Sequence, residues 1–337
     1  MSSLLRPEHE AFLDEAVGPE FRVGLLRAQG FNSGVYLVER AGEQWVLKLY
    51  GAKRIVTDPL RMQREVAMYR HVDQVGIECT PKLVAYDEGI QASLLSFAEG
   101  KTTLDQGAGD FWHTVAIDFL AALQTGTSAT TLVGLLQGAD SCQSVPDHLI
   151  NVDRRIEGVD EYIFSAAGEF HHDQIVPTWH AVREWVSTHL VNKGRPTLVS
   201  QMVSPGDLGP HNSVVNQAGE IVFLDFEYGG WDDPVKFLCD LEFQPSNTFN
   251  ETQIARWVQE VHSYRYETTF YERYRCMRPV HAVKWASIAL NPFRDGRATC
   301  DVESPLQNPL LESLLTGRLI ESDRLLSTAR QAIQGME

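Results

Sequence analysis

The chain has 337 residues, 43% of them hydrophobic, with 45 acidic against 29 basic side chains and a formal net charge of −16. That length allows one large domain or two smaller ones with cores of their own, and the acidic balance argues against a nucleic-acid surface, which needs a basic stripe. Five widely spaced cysteines (Cys79, Cys142, Cys239, Cys276, Cys300) include no CxxC pair and suggest neither a disulfide framework nor a zinc ribbon. No run approaches about 18 uninterrupted apolar residues, and the charged N-terminus does not read as a signal peptide, so a cytoplasmic protein without a membrane span is expected.

In chain order, "FRVGLLRA", "VYLVER" and "QWVLKLY" between residues 21 and 50 are short, rich in β-branched and aromatic residues, and separated by turn-like "QGFNSG" and "AGE". They predict an antiparallel meander of three strands. A helix follows to about residue 74, and then "KLVAYD" and "ASLLSF" predict two further strands. Beyond residue 100 the pattern becomes helical. In "DFWHTVAIDFLAALQTG" the residues Phe111, Trp112, Val115, Ala116, Phe119, Leu120 and Leu123 form one broad apolar face. Weaker helical patterns cover 146–166, 177–191, 250–275, 279–290 and 304–334, with strand-like "TLVSQMV" and the 212–226 region among them. The expected organisation is α+β: a small antiparallel-sheet lobe over 1–97 and a larger, mainly helical lobe over 98–337, with a ligand cleft where they meet near "SFAEG".

Two polar anomalies stand in this frame. Lys48 is a cation inside the apolar strand "WVLKLY", and lysine is rarely buried without a partner. On the helix "LRMQREVAMYRHV", Met62, Val66, Tyr69 and Val72 form the inward arc at helical spacing, and Glu65 falls within it. Pairing Lys48 with Glu65 satisfies both and sets the ammonium where it can meet phosphate oxygens. The alternative is an edge-strand lysine whose stem reaches outward and a glutamate at the helix boundary.

The second anomaly is "SPGDLGPHN" at 204–212 with "LDFE" at 224–227. "NSVV" and "IVFLDF" flank "NQAGE", a hairpin turn centred near residue 218. Asn212 and Asp225 are then expected across from each other, about 5 Å apart at Cβ. An amide oxygen and a carboxylate converging there suit a hard cation such as Mg2+, and the alternative is a surface hairpin with polar ends. Asp207, in the Gly- and Pro-rich loop, could take a proton from an attacking hydroxyl beside such a site or be an ordinary turn aspartate. Earlier in the chain, "GFNSGVY" is a glycine-flanked loop able to bring backbone N–H groups to an anion.

The order of loop, strand lysine, helix glutamate, Asp-x4-Asn and Asp-Phe resembles the protein-kinase-like fold. In detail it is similar to the aminoglycoside phosphotransferase and choline kinase superfamily of small-molecule kinases. There the catalytic loop commonly reads HGDLxxxN and the metal segment DFE or DWE; here they read "PGDLGPHN" and "DFE", followed by "GGWDDPVKFLCDL". The resemblance runs roughly from 20 to 245. It implies transfer of the γ-phosphoryl group of ATP, or another nucleoside triphosphate, to a hydroxyl of a small molecule, with Mg2+. Asp207 is then the catalytic acid/base, and Asn212 and Asp225 bind the metal. Lys48, clamped by Glu65, holds the α/β-phosphates. The backbones of Ser96 and Ala98 in "LLSFAEG" contact adenine, and Ser33 sits in the phosphate loop. An aminoglycoside-, choline- or sugar-like acceptor is implied, with the negative net charge tilting toward a cation, and its recognition falls in the helical region, with Asp232, Glu242 and 257–285 as candidates.

Two departures stand out. Pro205 occupies the position of the family's usual histidine, and Asp233–Pro234 arrives so soon after "DFE" that no activation segment fits, which favours a small acceptor over a protein. Three rival readings are a non-catalytic kinase-like scaffold, a protein kinase, and a metal-dependent hydrolase using Asp207 and Asp225. The first does not need all five polar residues, and the third leaves Lys48 and Glu65 unexplained. The pair His171–His172 lacks a third ligand and reads as a solvated helix end, while the rings of "WVQEVHSYRYETTFYERY" read as helix core in preference to a cation pocket.

Overall fold

The computed structural model describes residues 5–26, 33–50, 58–106, 109–125, 134–157, 162–191, 199–247, 249–264, 267–294 and 309–335. They pack as two compact units, Met1–Ala139 with Val203–Trp231 and Asp140–Met202 with Asp232–Glu337.

The first unit opens with a helix the sequence reading did not anticipate, α1 (Pro7–Val17), with proline in its first turn, Glu8 and Glu10 beside the N-terminal dipole, and His9 and Leu13 buried. Strands β1 (Arg22–Leu25), β2 (Ser33–Arg40) and β3 (Glu43–Tyr50) follow as the expected meander. Ala41 and Gly42 both take positive φ, 51° and 89°, in the two-residue turn between β2 and β3. After α2 (Arg61–Gln74) come β4 (Leu83–Asp87) and β5 (Ala92–Ser96), giving the sheet order β1-β2-β3-β5-β4 with every pair antiparallel. Strand β3 is therefore internal, which removes the edge-strand reading of Lys48. Leu13, Val38, Leu47, Leu94 and Ala92 form the core on one side of this sheet.

The unit continues through β6 (Lys101–Thr102), α3 (Thr103–Gln106) and α4 (Asp110–Thr125), then all but the first residue of β7 (Met202–Ser204), the hairpin β8 (Ser213–Val215) and β9 (Ile221–Phe223), and all but the last residue of β10 (Gly230–Asp232). Packing, not chain order, assigns these later segments to the sheet unit. Lys101–Thr102 pair with Val214–Val215, and the Phe223 N–H donates to the Cys79 carbonyl at 2.9 Å. Helix α4 buries Trp112, Ala116, Phe119, Leu120 and Leu123, but Phe111 is 61% exposed, while His113 and Ile117 lie inside. The stripe is thus centred further round the helix than the expected face, and Phe111 falls at its rim.

The second unit is helical: α5 (Val145–Glu157), α6 (Ser165–Phe170), α7 (Val176–Val186), α8 (Pro234–Phe243), α9 (Glu251–Tyr264), α10 (Phe270–Ala289) and α11 (Pro309–Gln334). Sequence patterns break the chain between 275 and 279, yet α10 runs straight through Pro279. The cost of a helix-interior proline is offset because both of its flanks are buried, through Cys276, Met277, Val280, Ala282 and Val283. His171 is not a solvated helix end. It lies in a π-helical turn, His171–Ile175, is 3% exposed, and sits 3.2 Å from the Tyr162 hydroxyl; burial lowers its pKa to about 4. In the aromatic run, Trp257, Phe270 and Tyr274 are core residues while Tyr271 is exposed. Cys79, Cys142, Cys239 and Cys276 are free thiols, and among the described residues no helix is long and apolar enough to cross a membrane.

Candidate active site

The site is assembled within the first unit from β3, α2, the 204–212 loop and the segment after β9. Lys48 points from the internal strand onto the same face as Tyr50, two residues on. Its Nζ lies 2.7 Å from Glu65 Oε2, 2.7 Å from Asp225 Oδ1 and 3.1 Å from Glu227 Oε2. Glu65 is 1% exposed, on the inward arc of α2 with Met62, Val66, Tyr69 and Val72. Its Oε2 also accepts from the Tyr50 hydroxyl, and its Oε1 accepts from the Phe226 N–H at 3.3 Å. Burial pushes the Glu65 carboxyl above the usual carboxylate range. Burial opposes the charge on Lys48, but Asp225 and Glu65 outweigh it and hold the ammonium pKa well above that of free lysine.

Glu227 was not assigned a role from sequence, and it is as deeply buried as Glu65. Besides Lys48 it ion-pairs with Arg61, at the start of α2, and accepts from the Ser33 hydroxyl at 3.4 Å. The visible signal was the third letter of "DFE", an acid two positions beyond Asp225. Arg61 carried no signal, because its reason for being there is an acid 166 residues away. Between the two acids, Phe226 is buried against Tyr69, with ring centroids 5.1 Å apart, and against Phe119 at 5.9 Å. The ring anchors the segment and leaves a carboxylate on either side of it to reach Lys48.

Three carboxylates (Glu65, Asp225, Glu227) face two cations (Lys48, Arg61), which leaves one excess negative charge. Oxygens of those three acids lie within 4.8 Å of one another. An all-oxygen donor set with surplus negative charge fits a hard divalent cation.

Asp225 departs from its expected partner. The hairpin register pairs Ser213 with Phe223, and the Leu224 N–H donates to the Asn212 carbonyl at 2.9 Å, so Leu224, not Asp225, stands across from Asn212. The turn closes through Asn216 and Gly219, and its centre at Ala218 makes the pairing one residue shorter than Asn212 with Asp225 requires. At Asp225 the chain leaves the strand with φ of 64°, a left-handed conformation that costs a non-glycine residue about 1 kcal/mol or more and is concentrated at functional sites.

Loop 204–212 is held from several directions. Ser204 Oγ accepts from the Gly206 N–H at 3.1 Å, and Gly206 takes φ of 80°. A Cβ at Gly206 would lie 2.6 Å from the Tyr228 carbonyl carbon, so only glycine fits. The Pro210 carbonyl accepts from Thr103 Oγ1 at 2.7 Å, and Ser213 Oγ from Trp112 Nε1 at 2.9 Å. Asn212 Nδ2 donates to the Asp207 carbonyl at 2.9 Å and approaches its carboxylate Oδ2 at 3.3 Å. His211 Nε2 lies 3.3 Å from that same Oδ2, a contact sequence reasoning missed.

Ser33 begins β2 and is buried, while residues 30–32 of the glycine loop lie outside the described residues. Ser96 closes β5; its N–H donates to the Lys82 carbonyl at 2.9 Å and its hydroxyl accepts from the Lys82 N–H, and Ala98 is half-buried. Asp232 and Glu242 belong to the second unit and are engaged there. Asp232 takes Lys236 at 2.6 Å, and Glu242 takes Tyr274 at 2.9 Å and the Arg278 guanidinium.

A model of the phosphotransferase enzyme family matches residues 24–257. Among solved structures, a spectinomycin phosphotransferase in complex with ADP and spectinomycin is similar at 13% identity and a TM-score of 0.62, over 98% of this chain and 100% of that one. A choline/ethanolamine kinase family protein from Mesorhizobium loti aligns at 16% identity and a TM-score of 0.57, over 97% and 98% of the two chains. A choline kinase from Streptococcus pneumoniae aligns at 16% and 0.56, over 95% and 99%. At these identities the likeness is one of fold, mixed α+β with an antiparallel N-terminal sheet and a mostly helical remainder. No curated protein matches the sequence.

Proposed function

The chain belongs to the phosphotransferase enzyme family, and on that premise we propose that it moves the γ-phosphoryl group of ATP to a hydroxyl of a small molecule. The observation that carries this reading is the convergence of Glu65, Asp225 and Glu227 on the Lys48 ammonium, in the same unit as the Asp207–Asn212 loop. No step in it needs a covalent enzyme intermediate.

Lys48, kept protonated and aimed by Glu65, would meet the α/β-phosphates. Asp225 and Asn212 would hold Mg2+, with Glu227 as a further acid nearby; bound there, the ion supplies positive charge to the phosphate oxygens. The carbonyl of Ser96 and the backbone of Ala98 would face adenine, and Ser33 the phosphates. Asp207 would accept the acceptor's hydroxyl proton as the new O–P bond forms and the bond from Pγ to the bridging oxygen breaks, releasing ADP. An amine-bearing acceptor suits the net charge of −16. Glu227 and Arg61 are charge partners that keep the cluster assembled.

Acceptor-dependent ADP release, measured with ATP and Mg2+ against a panel of aminoglycosides, choline, ethanolamine and sugars, tests the reading. Release with at least one acceptor, lowered at least about 100-fold in Asp207→Ala, is expected. ATP binding without release for any acceptor would instead support the scaffold reading, and labelled phosphate appearing in protein would support a protein kinase.

A further inference from the structure

Two side-chain nitrogens are among the partners of the Asp207 carboxylate, both on Oδ2: Asn212 Nδ2 and His211 Nε2, each at 3.3 Å. They are not equivalent. Asn212 is already committed to the Asp207 main-chain carbonyl at 2.9 Å, so its hold on the carboxylate is shared and secondary. The histidine ring carries a single directed donor, and its backbone belongs to the short 3-10 turn Pro210–Asn212. Thr103 and Trp112 fasten that turn, through the Pro210 carbonyl and the Ser213 hydroxyl. On the other flank Pro205 has neither a backbone N–H nor a polar side chain to offer.

We infer that His211 is a positioning residue: by holding Oδ2 it sets the rotation of the Asp207 carboxylate and so the direction in which Oδ1 meets the acceptor hydroxyl. A free carboxylate rotates about its last side-chain bond with little preference, and proton transfer needs the oxygen within about 2.6–3.2 Å of the hydroxyl. The imidazole side chain is 29% exposed and the Asp207 side chain 31%, so the contact adds little to the core. Its consequence falls on orientation. The inference rests on the phosphotransferase reading.

The test uses the full-length protein with ATP, Mg2+ and the acceptor identified by the panel. His211→Ala and His211→Leu, which lack the donor, are expected to lower kcat roughly 10- to 100-fold with KM for ATP and the unfolding midpoint near wild type. His211→Gln, which offers an N–H without a ring, is expected to recover most of the loss. In an Asp207→Ala background, His211→Leu should have no further effect, since a residue acting through Asp207 is not additive with its removal. Leucine fills the histidine's space, so the comparison of Leu with Gln stands even if the alanine variant fails to fold. Unchanged kcat in the Leu variant, a Gln variant no better than Leu, or additive losses in the double variant would each overturn the inference while leaving the enzyme reading intact. A wild-type protein that releases no ADP with any acceptor would overturn both.

Discussion

Lys48 and Asp225, 177 positions apart, meet at 2.7 Å from Nζ to Oδ1, the lysine side chain buried at 7% exposure and the aspartate open to solvent at 41%. The contact ties an internal strand to the segment after the β8–β9 hairpin. It also explains how Lys48, Glu65 and Glu227 can all be buried: the ammonium is the shared counter-charge for these two buried acids and for the partly exposed Asp225. Removing it is more costly than removing a surface ion pair, because Glu65 and Glu227 stay behind in low dielectric.

Lys48→Met should therefore act on both stability and function. Loss of a buried ion-pair member typically costs about 3–5 kcal/mol, so a clear fall in the urea midpoint is expected, together with loss of ATP binding by calorimetry. A variant as stable as wild type would show that Glu65 and Glu227 do not depend on Lys48.

Asp207 has the opposite profile. Its side chain is partly exposed and carries no comparable burden of packing. Asp207→Ala should lower phosphoryl transfer at least about 100-fold, with ATP affinity and thermal midpoint within error of wild type. Near-normal transfer would remove Asp207 from the mechanism.

Glu227→Ala should remove the Glu227 carboxylate from the buried Arg61 guanidinium and from the Ser33 hydroxyl. Breaking one member of such a pair places the expected loss at about 3 kcal/mol. A weaker dependence of ATP binding on Mg2+ should accompany it, since the cluster then carries no excess negative charge. Comparing ATP titrations with and without Mg2+ reads the second effect separately from the first.

Gly206→Ala should disorder the loop selectively. The new Cβ would collide with the Tyr228 backbone at 2.6 Å, at a φ of 80° that alanine disfavours. Transfer should fall by at least about tenfold, as expected for misplaced reacting groups, while nucleotide binding at Lys48 persists.

The helical unit predicts a pH dependence of stability. His148 Nε2 lies 2.7 Å from Asp233 Oδ2 and its Nδ1 lies 2.9 Å from His281 Nε2. Burial opposes its charge, but nearby Cys142 and the Asp233 carboxylate raise its pKa from 6.5 to about 10. A folded-state pKa above the unfolded one means that the charged histidine contributes fully below pH 6.5 and that the contribution is lost as the pH rises toward 10. Urea midpoints should accordingly fall between those values, and His148→Gln should flatten that slope while lowering stability at neutral pH.

Much of this protein was legible in its sequence, because period and residue type report local structure directly. Short runs rich in β-branched and aromatic residues, set between turn-like segments, announced the five strands of the sheet, and helical spacing set Glu65 on the same arc as Met62, Val66, Tyr69 and Val72. Once both a lysine in an apolar strand and an acid on an apolar helix face were visible, their pairing followed from the cost of burying either alone. What only the tertiary structure decided depends on groups distant in the chain. Arg61 is explained by Glu227, and the passage of α10 through Pro279 by burial on both flanks. The exposure of Phe111 and the burial of His171 are likewise settled by what packs against them. A turn centred at residue 218 pairs Asn212 with Leu224 and not with Asp225, so the one-residue offset follows from the turn position that the sequence itself indicates. Periodicity states which face of an element is apolar; which charge or ring meets it is chosen by whatever the rest of the chain brings to that face.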